Sequence, residues 1–359
     1  MKTLTVALPG REYDILIQRG LLGQAGERCR QALPRAKRLF IVTDTNVAPL
    51  YLDKVTESLS GAGFQVSRHI VPAGEPSKCV AQLSELWENM MAAGLTRTDA
   101  VVALGGGVVG DLAGFAAATV LRGVDLIQIP TTLLAQVDSS VGGKVAIDLQ
   151  AGKNLAGAFW QPRLVLMDPD TLDTLPDHIF SDGMAEVIKY GCIWDAEFFR
   201  FLEEHPSRAA VMGEIEHVLY TCCDIKRQVV MEDERDTGLR MILNFGHTVG
   251  HAFELAGHYR DWTHGQAVSA GMSWAARLGV ACGVTPPEVV GAIQDLTGRF
   301  GLPQDIPCPW ETLTEAVGLD KKRAGDMITM IFLSRMGKAA PTKMKKDGLL
   351  DHIADLRGR

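Results

Sequence analysis

Short apolar runs alternate with helical repeats along the first 170 residues. The runs LTVAL at 4–8 and YDILI at 13–17, joined by Pro9-Gly10, predict two antiparallel strands. Further buried strands are predicted at 38–44, 64–71, 99–107, 125–130 and 163–168, with helices at about 50–63 and 80–93. Strands separated by helical or loop crossovers are typical of a mostly parallel, doubly wound α/β sheet of the Rossmann-like class.

The pattern changes near residue 170, beyond which strand signals fade. Apolar residues recur at helical spacing at 180–190, 217–234, 271–283 and 286–301. We therefore predict an α/β domain over residues 1–170 and a mainly α-helical domain over residues 171–359, in keeping with the two domains expected of 359 residues.

One stretch, residues 100–121, is long and apolar enough to resemble a membrane span. Asp111 lies in its middle, where an acidic residue costs roughly 2.5–3.5 kcal/mol on insertion scales. Its first half is also typical of a buried strand that leads into glycines. We therefore predict that it does not span a membrane.

The composition narrows the class of protein further. The chain is 47% hydrophobic and 22% charged, and its net charge of −7 argues against a general binder of nucleic acid or membrane surfaces. Its seven cysteines show no C-x-x-C spacing, and the N-terminal residues contain no apolar signal segment. We expect a cytoplasmic protein with reduced thiols.

The densest chemical signal is the segment 240–264, which contains four of the nine histidines. His247 and His251 are four residues apart, so they share one face of a helix and could form half of a divalent metal site. His264 could supply a further ligand, and Glu186, in the apolar sequence GMAEVIKYG, a carboxylate. The alternative is a histidine-rich surface helix without a metal.

A glycine-rich turn is the second signal. The sequence GGGVVG at 105–110 fits G-x-G-x-x-G between a predicted strand and a helix, so its backbone N–H groups could bind a pyrophosphate. No obvious acidic residue follows about twenty positions later, and Asp44, at the end of an earlier strand, could bind the ribose instead. The alternative is a tight turn, with Asp44 as a helix cap.

Basic residues in glycine-rich or apolar surroundings are the third signal. They are Arg122, Lys144, Lys153, Lys189, Lys226 and Arg240. Each alone could be a surface charge. Together, in an acidic chain, they indicate a pocket for a substrate that bears phosphate and carboxylate groups.

The motifs that contain these residues resemble the 3-dehydroquinate synthase family of the sugar phosphate cyclase superfamily, over nearly the whole chain. They are GEPSK (74–78), GGGVVGDLAGF (105–115), IPTTLLAQVDSSVGGK (129–144), GKNLAGAFWQP (152–162), GMAEVIKYG (183–191), LNFGHTVGHAFE (243–254), HGQAV (264–268) and DKK (320–322). The resemblance implies a homodimeric shikimate-pathway enzyme with bound NAD and one Zn²⁺ or Co²⁺ ion. Such an enzyme converts 3-deoxy-D-arabino-heptulosonate 7-phosphate (DAHP) into 3-dehydroquinate and phosphate by transient oxidation, β-elimination, re-reduction and aldol closure.

The resemblance also implies roles for residues at matching positions. The metal ligands would be Glu186, His247 and His264. The NAD site, in domain 1–170 and just beyond, would comprise Asp44, Asn46, Glu75, Lys78, Gly106, Gly107, Val108, Val109, Gly110, Asp111, Thr131, Thr132, Asp138, Lys144, Lys153, Thr171, Leu172, Asp173 and Thr174. The catalytic and substrate-binding residues would be Lys144, Lys153, Asn154, Lys189, Lys226, Arg240, Asn244, His251, one of Lys321 and Lys322, and Arg122, which would reach the phosphate in the partner subunit's site.

Two motifs depart from the family pattern. Gln266 in HGQAV stands where Glu is usual, and KVAID at 144–148 replaces the commoner K-T-G-I-N/D. Gln266 could alter a hydrogen bond near the metal. Other functions stay open: a related cyclase of the inosose or valiolone type, a metal-dependent polyol dehydrogenase, or a non-catalytic nucleotide-binding protein.

Overall fold

The structure, a computed structural model, describes residues 1–236, 238–257, 260–319 and 326–358. Lys321 and Lys322 lie outside these residues. The chain divides into two compact units, one of Met1–Leu175 with Ile215–Met231 and the other of Pro176–Glu214 with Glu232–Arg359. A helical segment from the second half of the chain, residues 215–231, thus packs within the first unit.

The elements are as follows, in chain order. The strands are β1 (Lys2–Val6), β2 (Tyr13–Ile17), β3 (Arg38–Asp44), β4 (Gln65–Val71), β5 (Ala100–Gly105), β6 (Asp125–Pro130), β7 (Lys144–Leu149), β8 (Gly152–Phe159), β9 (Leu164–Met167), β10 (Met327–Arg335) and β11 (Lys338–Lys345). The helices are α1 (Ala25–Ala32), α2 (Asp53–Gly61), α3 (Val80–Ala92), α4 (Gly107–Thr119), α5 (Asp177–Ile193), α6 (Ala196–Glu204), α7 (Arg208–Gly213), α8 (Ile215–Glu232), α9 (His247–Ala256), α10 (His264–Ala281), α11 (Pro287–Arg299), α12 (Trp310–Leu319) and α13 (Lys346–Leu356).

The first unit is built on a seven-stranded sheet in the order β1-β2-β9-β6-β5-β3-β4. The pair β1–β2 is antiparallel and the other neighbours are parallel, so the predicted α/β class and opening hairpin are confirmed. The carboxyl ends of β3, β5 and β6 meet at one edge of the sheet, which is where such folds bind ligands.

Both faces of this sheet are covered, which explains its continuous apolar strands. Alternate residues of β5 enter different cores: Val101 and Ala103 pack on the side of α3 and α4, and Val102 and Leu104 on the side of α1 and α2. A strand buried on both faces needs an apolar residue at every position, and not only at every second one. The stretch 100–121 is therefore β5 followed by α4, and no helix among the described residues is long and apolar enough to cross a membrane.

Two antiparallel hairpins were not predicted from the sequence. The first, β7–β8, lies where only helical or loop crossovers were expected. The second, β10–β11, lies in the unit predicted to be mainly helical. In β8, glycines and the exposed apolar residues Leu155 and Phe159 hide the period-two signal, and β10 has an apolar run that also fits a helix. The other elements of the second unit, among the residues that the structure describes, are helices, as predicted.

Candidate metal and nucleotide sites

Three residues from three helices converge in the second unit. Glu186 lies on α5, and His247 and His264 are the first residues of α9 and α10. One donor atom of each lies within 4.8 Å of the other two. Oε1 of Glu186 is 3.5 Å from Nε2 of His247 and 3.2 Å from Nε2 of His264. A carboxylate and two imidazoles are a donor set that suits Zn²⁺ or Co²⁺ and leaves a coordination position open.

Glycines let α9 and α10 approach closely enough to bring the two histidines together. A Cβ added to Gly271 would lie 2.0 Å from the carbonyl oxygen of Gly246 and 2.9 Å from the backbone nitrogen of Gly250. Gly246 itself has φ +82°, a left-handed conformation that favours glycine. The sequence NFGHTVG thus supplies both the imidazole of His247 and the glycines that let α9 lie close to α10.

A buried ion pair holds Glu186 on α5, and a helix-end contact holds the start of α10 next to it. Lys189, one turn after Glu186, pairs with its Oε2, and these two side chains are 1% and 0% exposed. One turn before Glu186, the carboxylate of Asp182 accepts hydrogen bonds from Thr263 Oγ1 and, at 2.7 Å, from the N–H of Gly265. Burial raises the pKa of Asp182, although these hydrogen bonds oppose the rise. Asp182 therefore ties the start of α10 to α5.

The second ring nitrogen of each histidine also has a neighbour. Nδ1 of His247 lies 3.2 Å from the carbonyl oxygen of Phe245, which accepts its proton in the tautomer that leaves Nε2 for a metal. Nδ1 of His264 lies 3.6 Å from Oε1 of Glu254. Glu254 was not singled out from the sequence. The sequence feature that could have identified Glu254 is its spacing, because residues 247, 251 and 254 lie on one face of α9.

The two histidines have opposite pKa shifts. Burial and the neighbouring ammonium of Lys189 lower the pKa of His247 to about 3, so its ring is neutral. Burial acts in the same direction on His264, but Glu186 and Glu254 outweigh it and raise the pKa of His264 to about 10. The carboxylates therefore give His264 surroundings that favour a positive charge, as a cation-binding site requires.

Other residues predicted to contact substrate lie in the same unit. The ring of His251 is exposed and its centroid is 5.7 Å from that of His247, and it does not belong to the group of possible ligands found among the described residues. Arg240 is 2% exposed, and its Nη1 donates to the carbonyl of Glu234 at 2.6 Å. Asn244 is exposed at the end of the turn Leu239–Asn244.

Gln266 belongs to a helix cap. Its Oε1 accepts a hydrogen bond from the backbone N–H of Thr263 at 3.0 Å, while its own N–H donates to Thr263 Oγ1. This reciprocal pair is a capping box, in which Glu and Gln both serve. The departure from the family pattern therefore preserves the start of α10.

In the first unit, the glycine turn connects β5 to α4. Gly106 caps the helix without a side chain, so backbone N–H groups at its positive end are available to an anion. A Cβ at Gly106 would lie 3.0 Å from Cγ2 of Thr132, and one at Gly107 would lie 3.2 Å from Oγ of Ser139. Near this turn, the Thr131 hydroxyl is buried and has no hydrogen-bond partner among the described residues. These features fit a phosphate-bearing cofactor.

Asp44 lies at the carboxyl end of β3, at the same edge of the sheet. Its Oδ1 accepts hydrogen bonds from the N–H groups of Asn46 and Val47 at 2.8 and 2.9 Å. The turn that follows β3 is thus held by Asp44, and the exposed Asn46 is its second residue. The sequence left open a role for Asp44 as a helix cap, but the cap residue of the following short helix Ala48–Leu52 is Val47, so Asp44 holds the turn before that helix.

The stretch 171–174 is fixed by a network of hydrogen bonds within the first unit. Thr171 Oγ1 accepts a bond from Nε2 of Gln136 at 3.0 Å, and Thr174 Oγ1 lies 2.6 Å from the hydroxyl of Tyr51. Leu172 is buried, and Asp173 is 3.4 Å from Arg19. The structure thus places this segment beside the short helix Ala48–Leu52, which precedes α2, and beside the turn Ala135–Ser139.

Lys78 connects residues predicted to have different roles. Its buried Nζ lies 2.8 Å from Oδ2 of Asp111 and 3.5 Å from Oε1 of Glu75, and it also donates to Oδ1 of Asn154. Burial raises the pKa of Asp111 to about 6, against the opposing effect of Lys78. The sequence assigned Lys78, Glu75 and Asp111 to the cofactor and Asn154 to the substrate, and the four lie together.

The remaining basic residues of the first unit have distinct surroundings. Nζ of Lys226, on α8, is 2.8 Å from Oδ1 of Asp138. Lys144 begins β7 with an exposed side chain, and Lys153 is half-buried on β8. Arg122 is exposed and its backbone has φ +66°. Its neighbours Leu121 and Gly123 also have positive φ, of +53° and +114°. Such strained backbone often marks functional positions.

Comparison with known proteins assigns the family. The 3-dehydroquinate synthase N-terminal model matches residues 68–182 and the 3-dehydroquinate synthase C-terminal model matches residues 183–323. The chain belongs to the 3-dehydroquinate synthase family. It is 46% identical over 340 residues to 3-dehydroquinate synthase of Clostridium botulinum, which covers 94% of this chain and 97% of that protein.

Solved cyclase structures share the fold. A 2-deoxy-scyllo-inosose synthase complexed with carbaglucose-6-phosphate, NAD⁺ and Co²⁺ is 29% identical, with a TM-score of 0.88 and coverage of 98% of this chain and 99% of that chain. A 2-epi-5-epi-valiolone synthase from Streptomyces hygroscopicus with NAD⁺ and Zn²⁺ is 28% identical, with the same TM-score and the same coverage.

Proposed function

We propose that this chain is a 3-dehydroquinate synthase, a phosphate-eliminating carbon–oxygen lyase that converts DAHP into 3-dehydroquinate and phosphate. The observation that carries the proposal is the convergence of Glu186, His247 and His264 within 4.8 Å in a chain that is 46% identical to a curated 3-dehydroquinate synthase. The inosose and valiolone cyclases are only 29% and 28% identical, which favours the seven-carbon sugar acid phosphate over their substrates. We place the enzyme in the cytoplasm as a homodimer.

Glu186, His247 and His264 would hold one Zn²⁺ or Co²⁺ ion, and the glycine turn at 106–110 would hold the pyrophosphate of NAD. When bound, NAD supplies reversible oxidation of a substrate hydroxyl, and the ion supplies Lewis-acid polarisation of the substrate oxygen. Lys189, paired with Glu186, adds a buried ammonium next to the ligands. An ammonium there would lower the pKa of a bound hydroxyl and stabilise the negative charge that develops on it.

The other assignments are also proposals. Asp44 would bind the ribose of NAD, and the NAD site would be completed by the remaining cofactor residues: Asn46, Glu75, Lys78, Asp111, Thr131, Thr132, Asp138, Lys144, Lys153 and 171–174. The substrate's carboxylate and phosphate would be bound by Lys144, Lys153, Asn154, Lys226, Arg240, Asn244, His251 and one lysine of the pair 321–322. Arg122 would serve the phosphate in the partner subunit's site. Cationic groups at these positions would offset the charge of the departing phosphate.

The test is to incubate purified protein with DAHP and with much less NAD than DAHP, and to measure phosphate and NADH in the same reaction. We expect many equivalents of phosphate per NAD and no accumulation of NADH, because the hydride returns within each turnover. Stoichiometric NADH release would indicate a polyol dehydrogenase. Turnover of a hexose 6-phosphate in place of DAHP would indicate a cyclase of the inosose type. Phosphate release by NAD-free protein would contradict transient oxidation.

A further inference from the structure

Glu254 is a buried carboxylate that the ligand assignment leaves without a role. It lies on α9, two turns after His247, and only 3% of its surface is exposed. Burial of an ionised carboxylate is costly unless a cation or hydrogen-bond donor compensates for it. Its Oε1 lies 3.6 Å from Nδ1 of His264, so the compensating group includes a metal-ligand candidate.

We infer that Glu254 is a positioning residue for His264 at the metal centre, an inference that rests on the proposed function. The His264 ring lies between two carboxylates, with Nε2 3.2 Å from Glu186 and Nδ1 facing Glu254. The negative charge of Glu254, 3.6 Å from Nδ1, favours the tautomer with its proton on Nδ1, and this tautomer leaves the Nε2 lone pair for the metal. The negative charge behind the ring also makes the imidazole a stronger ligand.

The two histidines differ in how they are oriented. Nδ1 of His247 faces the backbone carbonyl of Phe245, and this side chain is 14% exposed. The side chain of His264 is 33% exposed and begins a helix, so fewer packing contacts fix its ring. His264 is therefore the ligand that depends on a side-chain partner, and this partner can be replaced by mutation.

Two replacements separate orientation from charge. Glu254→Gln keeps the shape and an oxygen that can accept a hydrogen bond, but it removes the negative charge. Glu254→Ala removes both. Ser269→Ala is the matched control, since Ser269 is a buried polar residue on α10 whose hydroxyl donates to the carbonyl of Pro303 at 2.9 Å.

The experiment measures Co²⁺ binding by the full chain after its metal has been removed with a chelator. We expect Glu254→Ala to weaken Co²⁺ binding about 10- to 100-fold, and Glu254→Gln to weaken it less. The visible absorption bands of bound Co²⁺ should shift in Glu254→Ala, because the geometry of one nitrogen ligand changes. Ser269→Ala should keep the wild-type affinity and spectrum.

The thermal unfolding temperatures of the metal-free variants show whether Glu254 acts on the metal site or only on the stability of the fold. If Glu254 only supported the fold, the isosteric Glu254→Gln variant would bind Co²⁺ with wild-type affinity and an unchanged spectrum wherever it stays folded, which would overturn the inference. A weakened, spectrally altered site in a variant that unfolds at the same temperature as Ser269→Ala would support it. Failure of the wild-type chain to bind Co²⁺ would overturn the proposed metal centre itself.

Discussion

Gly265 lies directly against the backbone of Asp182. A Cβ added to Gly265 would stand 2.0 Å from the Asp182 carbonyl oxygen and 2.6 Å from its Oδ1. The Gly265 N–H also donates to that carboxylate at 2.7 Å. A residue without a side chain therefore allows α10 to begin against α5, and this contact places His264 next to Glu186.

Replacement of Gly265 by Ala should force the two helices apart. We expect a loss of roughly 1–3 kcal/mol in the free energy of unfolding, as for other overpacked sites, together with reduced metal content. Gly291→Ala on α11 is the matched control, because its Cβ would meet nothing within 4 Å. The control should be neutral or stabilising by up to about 1 kcal/mol. Denaturant unfolding measures the free energy of unfolding, and elemental analysis measures the metal content. If both values in Gly265→Ala equalled those of the wild type, the contact would be dispensable.

The metal ligands can be distinguished from their neighbour His251. Replacement of Glu186, His247 or His264 by Ala should lower the metal bound per chain, because each removes one of three protein ligands. His251→Ala should retain the metal, since this exposed ring lies outside the group of candidate ligands. The metal-to-protein ratio after dialysis measures this. Full metal content in His264→Ala would refute the assignment.

Local signals predicted much of this molecule. The strands β3 and β5 contain continuous apolar runs, and the run in β6 is broken only by the buried Gln128; a parallel sheet covered on both faces requires such runs. The glycine turn and the helix that carries His247 and His251 follow from residue spacing alone. Residue type and spacing suggested Glu186, His247, His251 and His264 as candidate ligands, whereas the choice of Glu186, His247 and His264 without His251 came from motif resemblance.

What the sequence could not provide is pairing between distant residues. Lys78 is separated by 33 positions from Asp111 and by 76 from Asn154, and only the folded chain shows that one ammonium contacts both. The hairpin β7–β8 was missed because its glycines and its exposed apolar residues, Leu155 and Phe159, give no clear alternation of polar and apolar positions. Glu254 had the right helical spacing, but its partner His264 begins another helix.

Asp111 should make stability depend on pH. Burial raises its pKa from an ordinary value of 3.8 to about 6, so the folded chain binds this proton more tightly than the unfolded chain. The stability that this group contributes is therefore fully present below about pH 4 and is lost as the pH rises through about 6. In Asp111→Asn this dependence should disappear.

The measurement is the free energy of unfolding of both chains from pH 4 to pH 7. The difference between wild type and Asp111→Asn should change by on the order of 1–3 kcal/mol over that range. Asp53→Asn, which replaces an 86% exposed carboxylate, serves as the control and should run parallel to wild type. A constant offset between wild type and Asp111→Asn at all pH values would show that Asp111 titrates normally.

Arg122 gives a test of assembly. Its left-handed backbone, next to that of Leu121, is costly for residues with side chains, and its side chain is exposed. We expect Arg122→Ala to be folded but to lose most activity, because the phosphate of the partner subunit's site would lack a cation. Lys189→Met should also be inactive, through loss of the ammonium beside Glu186.

Mixing the two inactive chains should restore activity if Arg122 acts across subunits. In a heterodimer, the site that keeps Lys189 in its own chain also receives the intact Arg122 from the other chain, while the second site lacks both. Random pairing of equal amounts makes half of the dimers mixed, with one working site in each. Activity should therefore recover to about a quarter of the wild-type value for a closed two-fold dimer. Each variant alone must stay inactive under the same exchange conditions. If subunits are shown to exchange and activity still does not recover, Arg122 does not serve the neighbouring site, because this mixture must rebuild a shared site.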